Sequence, residues 1–147
     1  ENILAKVRRA LWVVRDKDIA ILGLAFKPNT DDIRGAPALE LARRLLAEGA
    51  RLRLYDPQAM ANAQRELPPS DRVFYASSPQ EAITGAQALI VATDWDEFKS
   101  LDLHQLNAWM TTPIIVDGRN IFSPAQAEAA GFEYFPVGRK PIEPISM

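Results

Sequence analysis

Three cations and one aromatic ring, all in short polar stretches, are the residues of this chain best suited to handling an anion. Phe26, Lys27 and Arg34 lie within residues 18–34, DIAILGLAFKPNTDDIR, and Arg119 lies in Asp117-Gly118-Arg119-Asn120. A lysine meets a phosphate as a point charge, whereas an arginine grips it with a two-pronged fork. Phe26 could cover the apolar face of a sugar or base. Each has a plainer alternative, a solvated loop charge or a ring packed under its own loop, and spacing alone leaves both open. Asp31 and Asp32 form a carboxylate pair that acid–base chemistry or Mg²⁺ could use. The favoured reading is that they bond the loop's backbone N–H groups or pair with Arg34. In Asp94-Trp95-Asp96-Glu97-Phe98 the aromatics are expected to anchor the turn rather than stack on a base.

Composition narrows the field. The 147 residues include no cysteine and a single histidine, His104. That excludes thiolate metal sites, disulfides and a cysteine nucleophile within the chain, and leaves no histidine cluster. No metal is expected, and no catalytic residue is assigned. The net charge of −2 provides no basic field for nucleic acid or an anionic membrane, so any anion site must be local. No run of ~18 apolar residues exists and no leader pattern opens the chain, so a cytoplasmic protein is expected. With 48% hydrophobic residues the chain reads as one globular domain.

The elements that must hold these residues follow from periodicity. Residues 19–22 are a short apolar run rich in β-branched side chains, as in a strand buried on both faces. Gly23 stops it, and the polar loop follows. Pro37 then opens a helix over residues 37–50 that ends at Gly49, and residues 51–55 make a second strand closed by Asp56-Pro57. Further strands are expected at 72–75, 87–93, 113–116 and 132–137. Helices are expected at 57–67, 79–83, 102–110 and 123–130, with Ser77 or Ser78 and Ser123 as caps. Residues 2–14 have a helical stripe of Ile3, Val7, Ala10, Leu11 and Val14. Leu4 and Trp12 fall off it and are expected to face something outside this domain. The alternation predicts a three-layer α/β fold with a mainly parallel sheet of about six strands, preceded by an N-terminal helix. The three polar sets, 27–34, 94–98 and 117–120, each follow a strand and should converge at the carboxyl edge.

The glycine pattern of a dinucleotide site, G-x-G-x-x-G opening a helix, is absent, since only Gly23 is present and the helix starts much later. Asp56 stands where an acid would hold an adenosine ribose, but without the glycines that reading is disfavoured, and Asp-Pro is also an ordinary turn.

The segments GLAFKPNTDDIR, LLAEGARLRLYDP, ALIVATDWDEF, VDGRNIF and GFEYFPVGR, in that order over residues 18–139, together resemble the C-terminal domain of the UDP-glucose 6-dehydrogenases, within the wider nucleotide-sugar dehydrogenase family. The resemblance implies a Rossmann-like fold that binds the nucleotide end of a UDP-sugar. The whole enzyme would oxidise UDP-glucose to UDP-glucuronate with NAD. Upstream NAD-binding and central domains would carry the catalytic cysteine and lysine, and the parent would be a homo-oligomer. Residues 1–16 would end a linking helix, 17–140 form the UDP-sugar domain and 141–147 a disordered tail. The family pattern assigns Phe26, Lys27 and Arg119 to the UDP-sugar, and Arg34 with Asp32 to the NAD side. Gly35 departs from it, where many relatives carry an acid. A UDP-N-acetylhexosamine or GDP-mannose substrate remains open, as does a purely structural interface domain. A phospho-acceptor module is disfavoured, because no aspartate follows the third strand.

Overall fold

A computed structural model describes residues 3–136; the expected tail at 141–147 lies outside them. Residues 19–22 form the core of β1 (Asp18–Leu22), and all four side chains are buried. Their alternation feeds both faces of the sheet. Ile19 and Ile21 join one apolar cluster, and Ala20 and Leu22 the other. β2 (Arg51–Tyr55) and β4 (Ala88–Val91) flank β1, both parallel to it. With β3 (Val73–Tyr75), β5 (Ile114–Asp117) and β6 (Glu133–Pro136) the sheet order is β3-β2-β1-β4-β5-β6, every named pairing parallel. That is the doubly wound order of nucleotide-binding folds, with its switch point between β1 and β4.

Helices cover both faces, as a parallel sheet requires. α1 (Ile3–Leu11), α2 (Pro37–Ala47) and α3 (Met60–Glu66) supply the cluster containing Ile19 and Ile21. α4 (Pro79–Ile83), α5 (Asp96–Lys99), α6 (Leu103–Trp109) and α7 (Pro124–Ala129) supply the other. Ser78, Asp102 and Ser123 cap α4, α6 and α7, each accepting a backbone N–H two or three residues on. Among the described residues no helix is long and apolar enough to cross a membrane.

Three expectations need correction. Leu4 does not face outward: it is buried at 7% exposure in the same core as Val7, because that core sits under a wider face of α1 than the stripe suggested. Lys6 is buried as well. α1 stops at Leu11 rather than Val14, since Trp12 takes a left-handed φ of 64° and leaves the helix, 87% exposed. Residues 57–59 are not helical. They turn under Asp56, whose Oδ1 accepts the N–H groups of Gln58 (2.9 Å) and Ala59 (2.8 Å).

Gly23 shows why β1 must end as it does. Its φ of 101° is left-handed, and a Cβ there would lie 2.5 Å from Thr93 Cβ and 2.7 Å from Thr93 N. Both backbone strain and overlap oppose any side chain. Gly23→Ala is expected to lower unfolding stability by about 2–4 kcal/mol. Urea denaturation measures it, and an unchanged midpoint would contradict the contact.

Candidate functional site

The three polar sets do meet at the carboxyl edge, and identifiable bonds join them. After Gly23, the amides of Leu24 and Ala25 donate to Asp56 Oδ2 at 2.7 and 3.0 Å. Trp95 Nε1, from the loop after β4, donates to the same oxygen at 3.3 Å. Thr93 Oγ1 donates to the Ala25 carbonyl at 3.0 Å. Residues 23–25 are therefore pinned from β2 on one side and β4 on the other. Phe26 and Lys27 come next and are exposed. Phe26 is 50% exposed, which excludes the ring packed beneath its loop and leaves an aromatic face presented to solvent.

The rest of the loop closes on itself. The Phe26 N–H donates to the Asp32 carbonyl at 2.9 Å, and Asn29 takes a φ of 67°, which asparagine tolerates. Arg34 forks onto the Asp32 carboxylate, Nε to Oδ1 at 3.0 Å and Nη2 to Oδ2 at 2.9 Å, while its backbone N–H donates to Oδ1 at 2.9 Å. These hydrogen bonds from Arg34, with Lys27 adding a weaker field, hold the Asp32 carboxyl well below the usual carboxylate range, at about 2. The Arg34 side chain remains 89% exposed. Asp31 contributes through its backbone, its carbonyl accepting from Asn62 Nδ2 at 2.8 Å. Among the described residues no cluster of histidine and acidic side chains could hold a metal. Gly35 has a φ of 69° and open space around it.

Arg119 bridges the first and third sets. Its Nη2 donates to the Phe26 carbonyl (3.1 Å) and its Nε to the Ala92 carbonyl (3.2 Å), at the end of β4. Its backbone N–H donates to Asp117 Oδ1 at 3.1 Å. Gly118 is required before it, since a Cβ there would meet Ile3 Cδ1 at 2.6 Å and the Val91 carbonyl at 2.8 Å. Asp117 is fully buried and, besides Arg119, accepts from the Tyr134 hydroxyl (2.6 Å) and the Phe122 N–H (3.1 Å) on Oδ2. Beside Arg119 opens a groove of about 560 Å³ between Ile3 and Leu4 of α1 and Ala38 and Leu41 of α2. Its walls are chiefly apolar, so it adds little that a phosphate could use.

Trp95 and Phe98 are buried anchors, as expected. Tyr55 packs edge-on to Phe98, and its hydroxyl donates to Glu97. Burial, reinforced by the negative charge of Glu97, pushes that phenol up to about 12. Sequence reasoning missed Asp56, Thr93, Asp117 and Tyr134 as organisers of this edge. For Asp56, Thr93 and Asp117 the only signal was position near a strand end, and Tyr134, inside β6, gave none.

The same geometry is a poor fit to a dinucleotide. The tight glycine turn is replaced by the buried side chains of Leu24 and Ala25, and α2 begins only at Pro37. Asp56, the acid at the end of β2, is spent on internal donors. Among the described residues no helix N-terminus directly follows β1 to cradle a pyrophosphate at the switch point.

Comparison with known proteins shows the family to which this fold belongs. The profile of the UDP-glucose/GDP-mannose dehydrogenase family, UDP binding domain, matches residues 20–124. The chain is 44% identical over 142 residues to the UDP-glucose 6-dehydrogenase YwqF of Bacillus subtilis, covering 97% of this chain and 32% of that protein. It is 43% identical to the UDP-glucose 6-dehydrogenase of Rhizobium meliloti, covering 86% of this chain and 28% of the relative. The chain thus spans about a third of the curated relatives it matches. Among solved structures, a UDP-glucose dehydrogenase from Pyrobaculum islandicum superposes with a TM-score of 0.74 at 34% identity, over 90% of this chain and 28% of its own. A UDP-D-ManNAc dehydrogenase from Pyrococcus horikoshii gives 0.73 at 31%, over 93% and 29%. With a doubly wound sheet whose switch point carries bonded, cation-bearing loops in place of a dinucleotide cradle, the chain belongs to the UDP-glucose/GDP-mannose dehydrogenase family, as its UDP-binding domain.

Proposed function

We propose that this chain binds the nucleotide end of UDP-glucose as the C-terminal domain of an NAD-dependent UDP-glucose 6-dehydrogenase, and that it has no activity alone. The observation that carries the proposal is the Arg119 bridge. A guanidinium bonded to the Phe26 carbonyl ties the Lys27 loop and the Asp-Gly-Arg turn into one edge with two cations. Because its acceptors in this bridge are neutral carbonyls, Arg119 keeps its charge for a ligand. Lys27 and Arg119 would neutralise the pyrophosphate, and Phe26 would cover an apolar face of the sugar nucleotide. The catalytic cysteine of the reaction has to lie in the remaining length of such an enzyme, since these 147 residues contain none.

NAD would be held elsewhere in the longer enzyme, where it supplies the hydride acceptor. Arg34 would reach toward it, with Asp32 setting its starting position. An exposed pair of this kind is worth little to stability, so Arg34 can exchange Asp32 for another anion at small cost. The resemblance to the UDP-D-ManNAc dehydrogenase, nearly as close as that to the UDP-glucose enzyme, supports a second reading in which another sugar nucleotide is the substrate.

Parallel titration calorimetry of the chain with UDP, UDP-glucose, GDP and NAD⁺ tests the reading. Saturable binding of UDP and UDP-glucose is expected, with NAD⁺ much weaker; stronger binding of GDP would change the nucleotide and keep the family. Lys27→Ala should weaken UDP binding about tenfold and flatten its salt dependence. An unaltered affinity and salt slope would remove Lys27 from the site.

The Arg34 pair has its own reporter. Asp32 is depressed in the folded chain, so its contribution to loop order is complete above the ordinary carboxylate value of about 3.9. As the pH falls through about 2 that contribution is lost. Carbon-detected NMR of the Asp32 carboxyl should place its midpoint near 2, and Arg34→Gln should return it toward about 3.9. A midpoint unmoved by Arg34→Gln would mean that the fork does not form.

A further inference from the structure

Asp56 is only 1% exposed, and the site as proposed gives it no ligand. Its surroundings explain why it is there. Oδ2 accepts from Leu24 N, Ala25 N and Trp95 Nε1, and Oδ1 from Gln58 N and Ala59 N. These five donors come from three segments, the turns after β1 and β2 and the loop after β4. A carboxylate is the one side chain that offers only acceptors on both branches. In a dinucleotide fold the acid at this strand end points out and holds a ribose. Here it points inward, and two of its five bonds, at 2.7 and 3.0 Å, fall on Leu24 and Ala25, directly before Phe26 and Lys27.

We infer that Asp56 is a positioning residue for the nucleotide site: the acid at the end of β2 has become the internal anchor that fixes where Phe26 and Lys27 are presented. The inference rests on the functional reading above. It goes further in naming a group that controls ligand binding without touching the ligand. It also accounts for the weak binding of a dinucleotide expected of this chain, since the acid that would hold the ribose is unavailable.

Asp56→Asn is the direct probe, because it keeps size and removes only the all-acceptor character. An amide nitrogen on either branch confronts backbone donors, so no flip restores all five bonds. The experiment compares the chain with Asp56→Asn, Lys27→Ala and the two combined. Hydrogen exchange followed by ¹⁵N NMR reads the anchor with no ligand present. Rapid exchange at the Leu24 and Ala25 amides is expected, with the β1 and β4 amides unchanged; wild-type protection at both would overturn the inference. UDP titration reads the consequence. Each single substitution is expected to weaken binding about tenfold, and the double variant about tenfold as well, because a displaced lysine has little left to lose. A loss near a hundredfold in the double variant would mean that Asp56 does not act through Lys27, and would overturn its positioning of that lysine. Trp95→Phe covers the case in which Asp56→Asn does not fold. It deletes one donor and keeps the acid, and should speed exchange at the same two amides about threefold; no change there would overturn the anchor. A wild-type chain that fails to bind UDP would sink the functional reading and the positioning role with it, while the exchange data still decide the anchor.

Discussion

The carboxyl edge of this domain depends on a carboxylate kept out of water. An isolated charge at that depth would be prohibitive, and burial is tolerable only if every lone pair is met by a well-placed donor. Asp56 meets that condition with four backbone amides and an indole N–H. Bonds of this charge-assisted kind are roughly twice as strong as neutral ones, so the arrangement is stiff as well as allowed. Stiffness is what the neighbouring loop needs. The stretch from Gly23 to Arg34 has no regular structure, yet it must present side chains at fixed places. Asp117 solves the same problem on the other side of the switch point, accepting from the turn that carries Arg119 and from Tyr134. Buried acids hold the loops, and exposed cations reach out from them.

The cations are not equivalent, and their partners explain the difference. Arg119 bonds to carbonyls and is fixed in place without losing its charge. Arg34 is neutralised by Asp32, two residues away, in a pair open to solvent. Among the described residues no carboxylate grips Lys27 in this way, and it acts on Asp32 through space. The chain as a whole is acidic, so an anion would approach this edge because of local patterns such as these. The three cations thus differ in how freely each could meet an anion: one fixed, one releasable and one open.

Much of this was legible in the sequence, and the exceptions have physical causes. Buried parallel strands announce themselves as short apolar runs, and Pro37, Ser78 and Ser123 mark helix starts through local chemistry that tertiary packing does not override. α1 misled because a helix lying on a sheet can bury more than one stripe, so Leu4 went inward, while the left-handed Trp12 cut the helix short. Lys27, Arg34 and Arg119 stood out as candidates because charge in a loop after a strand is itself a signal, whereas Phe26 was raised by the resemblance. Asp56 and Asp117 could not. An aspartate before a proline or a glycine reads as a turn residue, and only the folded chain shows donors arriving from three separate segments.

A doubly wound sheet is often taken to mean a dinucleotide, and this domain shows which local features that inference needs. The strand order and switch point are present in full. What differs is the length of chain between β1 and α2, and the direction of one acid. A short glycine turn would bring the start of α2 to the strand end and aim its free N–H groups at a pyrophosphate. Here the helix begins only at Pro37, so those groups are displaced from the strand end and charged side chains must replace them. Side chains on a long loop are flexible where helix amides are rigid. The fold therefore needs an anchor that a dinucleotide site does not, and the acid freed from ribose duty sits where it can serve. The absent glycines, the long loop and the inward-facing Asp56 are therefore mutually consistent features of one strand end.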